Sequence, residues 1–556
     1  MKRSTAAKTF AALGAMAVTL LAPSAAGAAS ARPAAADPLV SRGRPVTASS
    51  VEASGLEAGK AVDGSASTRW ASQEGHDPEW IQVDLGSAHT ISRVKLTWEA
   101  AHATSYKIQT SADGSSWSDV FSTASGDGGT DDLAVSGTGR YVRMHGAKRG
   151  TPYGYSLWEL EVYGAGNGGG PGGGVGVPFG SHSRPYAPGM LRPSGDQAAL
   201  DARVVDYYRR WKSAFLRQNC GNGWYQVISP DADHPYVAEA QGYGMVIVAT
   251  MAGADPDAKK IFDGLVKWVL DHPSSVNPHL LAAEQDTACR SVNGGDGATD
   301  GDLDVAYGLL LADRQWGSDG AYDYRQLAVR HINAIKKSEV NPSTNLLKLG
   351  DWSSSGDRWY YVTRTSDWMT DHFRAFRKAT GDSAWDRIRT AHQNLLGSMQ
   401  SKYAPSTGLL PDFVVDTDGT PRPASGKVLE TVNDGDYWWN ACRTPWRIGA
   451  DAVTGGDAAS LAAARKLNAW VKAKTGGNPD RIGMGYKLNG TQISGGSSPA
   501  FFAPFAVTAM TDSGSQAWLD ALWDKMLRTP IDGGSYFGAS IQLQTMITVT
   551  HNHWVP

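Results

Sequence analysis

The stretch GAGNGGGPGGGVGVP, residues 164–178, constrains this 556-residue chain more than any other. It offers almost no side chain from which to build a core, and chain of this composition behaves as a flexible tether. Folding must therefore happen separately on its two sides. Before it, residues 38–164 carry short β-rich runs, WIQVDLG, ISRVKLTW, SYKIQTS, RYVRMHG and LWELEVYG, parted by Gly, Ser and Asp turns. That pattern predicts an antiparallel β-sandwich. After the tether, which is taken to occupy 165–178, residues 179–556 repeat amphipathic helical stretches such as DQAALDARVVDYYRRWKSAFLRQ and AKKIFDGLVKWVLDH. About a dozen helices are expected, and a toroid of helical hairpins suits so large a helical domain better than a simple bundle.

The first residues combine a basic start (Lys2, Arg3, Lys8), an apolar run from Phe10 to Ala22 and the small-residue site Ala26-Gly27-Ala28. This predicts a secretory signal peptide over residues 1–28 and an extracellular protein. The apolar run is shorter than the roughly 20 residues of a spanning helix, and no membrane segment is expected elsewhere. With 41% hydrophobic and 19% charged residues the chain is globular, and its net charge of −3 becomes more acidic once the basic leader is removed. Such a protein is a poor partner for nucleic acid and tolerates a neutral or cationic polymer. Cys220, Cys289 and Cys442 lack zinc-ligand spacing, so one disulfide of open pairing is expected. The histidines are scattered, HNHWVP lacks metal-ligand partners, and the glycine run has no Lys-Ser/Thr ending. Metal catalysis and phosphate chemistry are not expected, nor is any catalytic cofactor; a monomer is.

Three segments of the helical region set acids or amides beside glycines and aromatics. In YVAEAQGYGM, Glu239 stands near a helix start with no basic neighbour in sequence, and the glycines after it would let a ligand approach the backbone. In GATDGDLDVAYGLLLADRQW, Thr299 is a candidate N-cap, with Asp300 and Asp302 in the first turn; helix capping alone is the competing explanation for these acids. In VLETVNDGDYWWNACRTPWRIG, Glu430, Asp434, Asp436 and Asn440 surround Trp438 and Trp439, with Arg443 following. Indole faces cover the apolar faces of sugar rings while carboxylates bond hydroxyls, whereas a solvated Asp-Gly turn is the plainer reading. Trp224, Trp352, Trp359, Tyr360 and Tyr243 are further candidates for lining sugar subsites.

Together EAQGYGM, ATDGDLDVAYGLLLADRQW, SDWMTDHFRAFRKATGD and NACRTPWRIG resemble glycoside hydrolase family 8. The resemblance implies an (α/α)6 barrel with a cleft across the N-terminal ends of its inner helices, and inverting hydrolysis of β-1,4-linked sugars. Inversion needs a general acid and a base roughly 6.5 to 9.5 Å apart. Glu239 matches the family's acid, and apolar neighbours would keep it protonated at neutral pH. Asp300 matches the acid that grips the sugar at the cleavage point; Asp302 and Arg443 are taken as substrate contacts. Endoglucanases and xylanases of the family carry an Asp base where this chain has Asn440, and an amide cannot accept that proton. The branch holding chitosanases and β-1,3-1,4-glucanases has this Asn and takes a Glu from the preceding loop. Glu430 matches it, leaving Asn440 to orient water or substrate, with Asp434 and Asp436 as alternative bases.

Residues 40–164 resemble the discoidin-like fold of carbohydrate-binding module family 32, through KAVDGSASTRWAS, WIQVDLGSAHTISRVKLTW, RYVRMHG and TPYGYSLWELEVYG. Asp63 and Glu159 match positions that hold a structural calcium in that family. Ligand contacts are expected from loops at one end, with Glu52, Arg69, Glu74, Glu99 and Tyr153 as candidates. Their carboxylates would suit the ammonium groups of glucosamine polymers. The expectation is therefore a multidomain chain, an all-β discoidin-like sandwich followed by an all-α (α/α)6 barrel. It acts as a secreted, inverting endo-chitosanase, with β-1,3-1,4-glucanase (lichenase) or endoglucanase as the alternative on the same scaffold. A non-catalytic cell-wall lectin is the reading from another class.

Overall fold

The computed structural model describes residues 39–166 and 175–556. The expected signal peptide, and residues 167–174 of the glycine run, lie outside the described residues.

In the first region β3 (Glu79–Trp98) is the spine. It pairs antiparallel with β1 (Val46–Ala48), β6 (Thr130–Arg149) and β7 (Ser156–Gly166). β4 (Ala103–Ser111) continues from β6 to β5 (Ser118–Thr123), and β2 (Trp70–Ala71) closes the far edge on β7. The β3–β6 ladder breaks register between Asp84 and His89. Such irregularities bend a strand and raise its twist, so long strands can contribute to both layers of a sandwich. Ile81, Val83 and Leu85 alternate inward along β3 onto a core with Trp70, Leu96, Ile108, Val142 and Leu160. This is the period-2 burial of a sheet with one wet face.

The helical region alternates two kinds of helix. The amphipathic ones are α1 (Gln197–Phe215), α3 (Ala258–Asp271), α5 (Tyr324–Ser338), α7 (Ala384–Lys402), α9 (Ala458–Thr475) and α12 (Gln516–Arg528). Each buries one stripe, as Ile261, Phe262, Leu265 and Trp268 do on α3. Between them come α2 (Ala238–Thr250), α4 (Thr299–Trp316), α6 (Thr370–Thr380), α8 (Thr444–Gly455), the short pieces α10 (Pro499–Phe502) and α11 (Pro504–Ala509), and α13 (Tyr536–Val549). Pro504 removes an amide donor where α10 passes into α11, while Ala503 between them keeps helical angles (φ −61°, ψ −44°). Counted as one rod, they bring the total to six helices of each kind. The inner helices pack in a closed ring, α2 on α4, α4 on α6, α6 on α8, α8 on α11, and α11 on α13, which returns to α2. This is the (α/α)6 barrel.

Inner helices touch neighbours on all sides, and on α2 every residue but Glu239 is buried. Glycines permit the closest of these contacts. A Cβ on Gly242 would lie 2.8 Å from Asp304 Cβ, and one on Gly308 would lie 2.8 Å from Met245 Cβ. The glycines after Glu239 therefore serve packing rather than the approach of a ligand: Gly242 meets α4, and a Cβ on Gly244 would lie 2.5 Å from Val227 Cγ2. Two further expectations are corrected. Ala298, not Thr299, occupies the N-cap of α4. The barrel also begins inside the presumed tether: Val177 is buried in the helical core, its N–H donates to Gln315 Oε1 at 2.8 Å, and its carbonyl accepts from Gln315 Nε2 at 2.9 Å. Cys220 and Cys289 form the disulfide, with Cα atoms 5.9 Å apart, and Cys442 is a buried free thiol.

Candidate active site

The N-terminal ends of the inner helices supply Glu239, Asp300 and Tyr536 to one cavity of about 630 Å3 and the buried floor beneath it. Glu239 sits in the first turn of α2 and Asp300 in the first turn of α4. Ser366 belongs to the 3-10 turn Thr365–Asp367 before α6, Arg443 to the turn Ala441–Arg443 before α8, and Tyr536 opens α13. Helix N-termini carry partial positive charge, so acids concentrate there at low cost. Glu239, Asp300, Arg364, Glu430, Asn440 and Tyr536 line the cavity, with Trp439 and Phe537 as apolar walls.

Arg443, 1% exposed, organises the floor. Its Nη1 donates to Glu239 Oε2 at 2.5 Å, Asp300 Oδ2 at 3.0 Å and Tyr243 Oη at 3.3 Å. Its Nη2 donates to Ser366 Oγ at 2.8 Å and Asn440 Oδ1 at 2.9 Å. Tyr536 donates its hydroxyl proton to Glu239 Oε1. Glu239 has no basic neighbour in sequence because its arginine lies 204 residues away. Burial still dominates: it pushes the Glu239 carboxyl up, Arg443 pulls it down, Asp300 adds an upward push, and the group settles at about 7. For Asp300 burial also pushes upward, but Arg364 and Arg443 together override it and hold the carboxyl down at about 2. Two acids on one guanidinium are therefore split into a proton donor and a permanent carboxylate.

Glu430 occupies the opposite side on a loop, its side chain 37% exposed. Its Oε2 accepts from Asn440 Nδ2 at 2.6 Å, and its Oε1 lies 3.5 Å from Arg364 Nη2. The other arm of Arg364 reaches Asp300 Oδ2 at 3.3 Å. Asn440 has its amide fixed, oxygen to Arg443 and nitrogen to Glu430. Neither alternative base reaches the cavity. Asp434 is buried with its oxygens committed to main-chain N–H groups, and Asp436 lies outside the lining.

Other expected sugar contacts are also displaced from the lining. Asp302 faces away from the cavity, its Oδ1 accepting from Leu281 N–H at 2.9 Å and bonded to His331 Nε2 at 2.7 Å. One helical step of two residues turns it roughly 200° from Asp300. Tyr243 and Arg443 are buried and reach the site only through other side chains. Trp352, Trp359 and Tyr360 stand outside the lining, the two indoles edge to face at 5.5 Å over a satellite core. Trp438 packs against Gly485, leaving its neighbour Trp439 to face the cavity, and Trp224 donates to Asp271 instead. Arg364, Tyr536, Phe537 and Asp231 are lining residues that sequence reasoning missed, since none belongs to the acid-bearing segments it followed.

In the β region, main-chain bonds from Glu52 to Ala71 and from Glu99 to Ser156 gather the candidate loops at one end. Glu52, Glu74 and Tyr153 are exposed there. Arg69 donates to Ser156 Oγ at 2.7 Å, and Glu99 Oε2 accepts from Ala101 N–H at 3.1 Å, so both are partly committed. Among the described residues no three His, Cys, Asp or Glu side chains cluster to hold a metal. Glu159 nevertheless keeps Oε1 buried without a partner, and burial and the nearby Asp63 charge both push its carboxyl up. That orphaned oxygen fits a hard cation, which Asp63 and Glu159 would hold as a structural ion.

Comparisons with known proteins agree with this construction. The description "glycosyl hydrolases family 8" matches residues 183–551 and "F5/8 type C domain" matches residues 45–160. A beta-glucanase of Niallia circulans is 44% identical over 378 residues, covering 68% of this chain and 91% of that protein. An endoglucanase of Bacillus sp. strain KSM-330 is 39% identical over 379 residues, covering 66% and 80%. The apo structure of beta-1,3-1,4-glucanase from Paenibacillus sp. X4 is 43% identical, covers 69% of this chain and 100% of that one, and superposes with a TM-score of 0.66. A matched segment spanning the barrel and holding every residue of the cavity makes this chain a member of glycosyl hydrolases family 8, joined to an F5/8 type C domain.

Proposed function

We propose that this enzyme is an inverting endo-β-glucanase, with mixed-linkage β-1,3-1,4-glucan ahead of chitosan as its substrate. The names of its relatives favour glucan over the chitosan preference expected from the sequence. The single observation that carries the mechanism is the chain of bonds from Glu239 through Arg443 and Asn440 to Glu430. It joins a carboxyl raised to about 7 and a second, partly exposed carboxyl at one cavity, the pair that inversion uses. Glu239 protonates the leaving oxygen, Glu430 takes a proton from the attacking water, and Asn440 orients that water through its contact with Glu430. Asp300, ionised at every working pH, accepts hydroxyls of the sugar at the cleavage point.

Chitosan is kept as a second substrate on a specific observation. Asp231, Glu239, Glu284, Asp300 and Glu430 line the cavity with Arg364 as the lining cation, and Glu52 and Glu74 add acids at the loop end of the β region. Such a surface suits ammonium-bearing sugars. A secreted monomer with no catalytic cofactor and a structural calcium completes the proposal; the Cys220–Cys289 bond fits an oxidising compartment. The test is reducing-end release from barley-type glucan, carboxymethylcellulose and chitosan by wild type and Glu430→Gln, with the product anomer read by NMR. Cleavage of mixed-linkage glucan with inversion, abolished in the variant, is expected. Retention of configuration, or an active variant, would remove the mechanism, and release from chitosan alone would reverse the substrate order.

A further inference from the structure

Two buried aspartates, Asp412 and Asp434, take no part in the chemistry above, yet each gathers main-chain N–H groups from one of the two segments on the base side. Asp434, 0% exposed, accepts through Oδ2 from Val428 (2.8 Å), Leu429 (2.8 Å) and Glu430 (3.1 Å), and through Oδ1 from Thr431 (2.7 Å). Asp412 accepts through Oδ1 from Trp438 (3.0 Å), Asn440 (3.2 Å) and Ala441 (2.6 Å), and its Oδ2 lies 3.5 Å from Asn440 Nδ2. The two are tied together, because Phe413 N–H donates to the Asp434 carbonyl and Asp412 N–H to the Asp436 carbonyl, both at 2.8 Å. Trp359 Nε1 adds an outer anchor, donating to the Val428 carbonyl at 3.2 Å.

An ordinary Asx turn uses one or two N–H groups two or three residues on. Here four successive amides point at one side chain, so a single carboxylate dictates the path of residues 428–431. The same three-stranded unit that carries Asp412 brings in Arg364, whose strand Thr363–Arg364 pairs with Phe413–Val415.

We propose that Asp434 and Asp412 are paired positioning residues for hydrolysis: Asp434 fixes the loop bearing Glu430, Asp412 the turn bearing Asn440, and together they set the Glu430–Asn440 bond before substrate arrives. This rests on Glu430 being the base. Loosening either arm breaks the 2.6 Å bond and the 3.5 Å approach to Arg364, which together fix where the Glu430 carboxyl stands. Turnover then falls, while substrate contacts elsewhere keep KM.

The test uses the full chain on its best polymer, with Asp434→Asn, Asp412→Asn, Glu430→Gln and the double variant Asp434→Asn/Glu430→Gln, well below each Tm. Expected are a loss of about 10- to 100-fold in kcat for each aspartate variant and KM within about threefold. The double variant should lose no more than Glu430→Gln alone. A lowered Tm with unchanged kcat overturns the proposal while leaving Glu430 as base; an active Glu430→Gln overturns both. Should an aspartate variant fail to fold, Trp359→Phe reads the same loop. A kcat reduced severalfold at unchanged KM supports the proposal, and an unaltered kcat sinks it.

Discussion

Glu239 and Glu430 line one cavity, but the chain supports them in opposite ways. The acid stands on a helix whose other residues are all buried, pinned by Arg443 and Tyr536, and burial keeps its proton on to about pH 7. The base stands on a loop held by main-chain bonds to a single carboxylate, with more than a third of its side chain open. A group that must keep its proton is built into the packed ring, and one that must meet water is hung beside it. Desolvation raises the Glu239 carboxyl in the first position, and the second is left open to solvent.

The strongest way to break this comparison is to neutralise each carboxyl in turn. Glu239→Gln and Glu430→Gln should each lower kcat by about 10³- to 10⁴-fold with polymer binding retained, measured by turnover and by pull-down on insoluble substrate. A Glu430 variant that keeps a tenth of its activity would leave the acid side without its counterpart.

Next in size is the shared cation. Arg443→Met leaves Asp300 and Asn440 facing a gap, and breaking a buried ion pair costs about 3–5 kcal/mol, to be read as a drop in Tm. The Glu239 carboxyl should also rise further above 7, because its largest downward pull is gone.

The acid side can be sharpened by pH. The Glu239 carboxyl is raised from 4.5 to about 7, so the native state prefers its protonated form. The stability it contributes is fully present below pH 4.5 and is lost as pH rises through 7. Glu239→Gln, fixed in the neutral state, should therefore gain on wild type between those values, by on the order of 3 kcal/mol at pH 8. Parallel denaturant melts at pH 5 and pH 8 measure it; a constant difference would contradict the raised carboxyl.

The smallest expected effect is at Asp302. Because its carboxylate serves Leu281 and His331 rather than the cavity, Asp302→Asn should leave KM within about twofold of wild type. A large rise in KM would return it to the sugar.

The same contrast explains what was legible in the sequence. The acid and its helix could be read because local pattern suffices there: Glu239 and Asp300 both sit at helix starts, in segments whose composition is itself distinctive. Asp302 was misplaced because spacing along a helix says nothing about which side faces the cavity until the partner helices are known. Arg364 and Tyr536 were missed because strand pairing at Phe413 and closure of the ring by α13 bring them in from 64 residues away from Asp300 and 297 residues away from Glu239 respectively. The glycines of α2 were assigned to a ligand because the sequence does not show what a missing Cβ would meet, and here it is α4 at Gly242 and Val227 at Gly244.

Closure of the ring by α13 also has a consequence in time. Tyr536, the acid's second partner, lies on the last helix, and that helix completes the wall between α11 and α2. During synthesis α2 leaves the ribosome some two hundred residues before Arg443 and some three hundred before Tyr536, with an open flank and neither partner of its acid yet made. A nascent chain thus carries its first reactive group long before it can use it, and competence arrives only when the final helix docks.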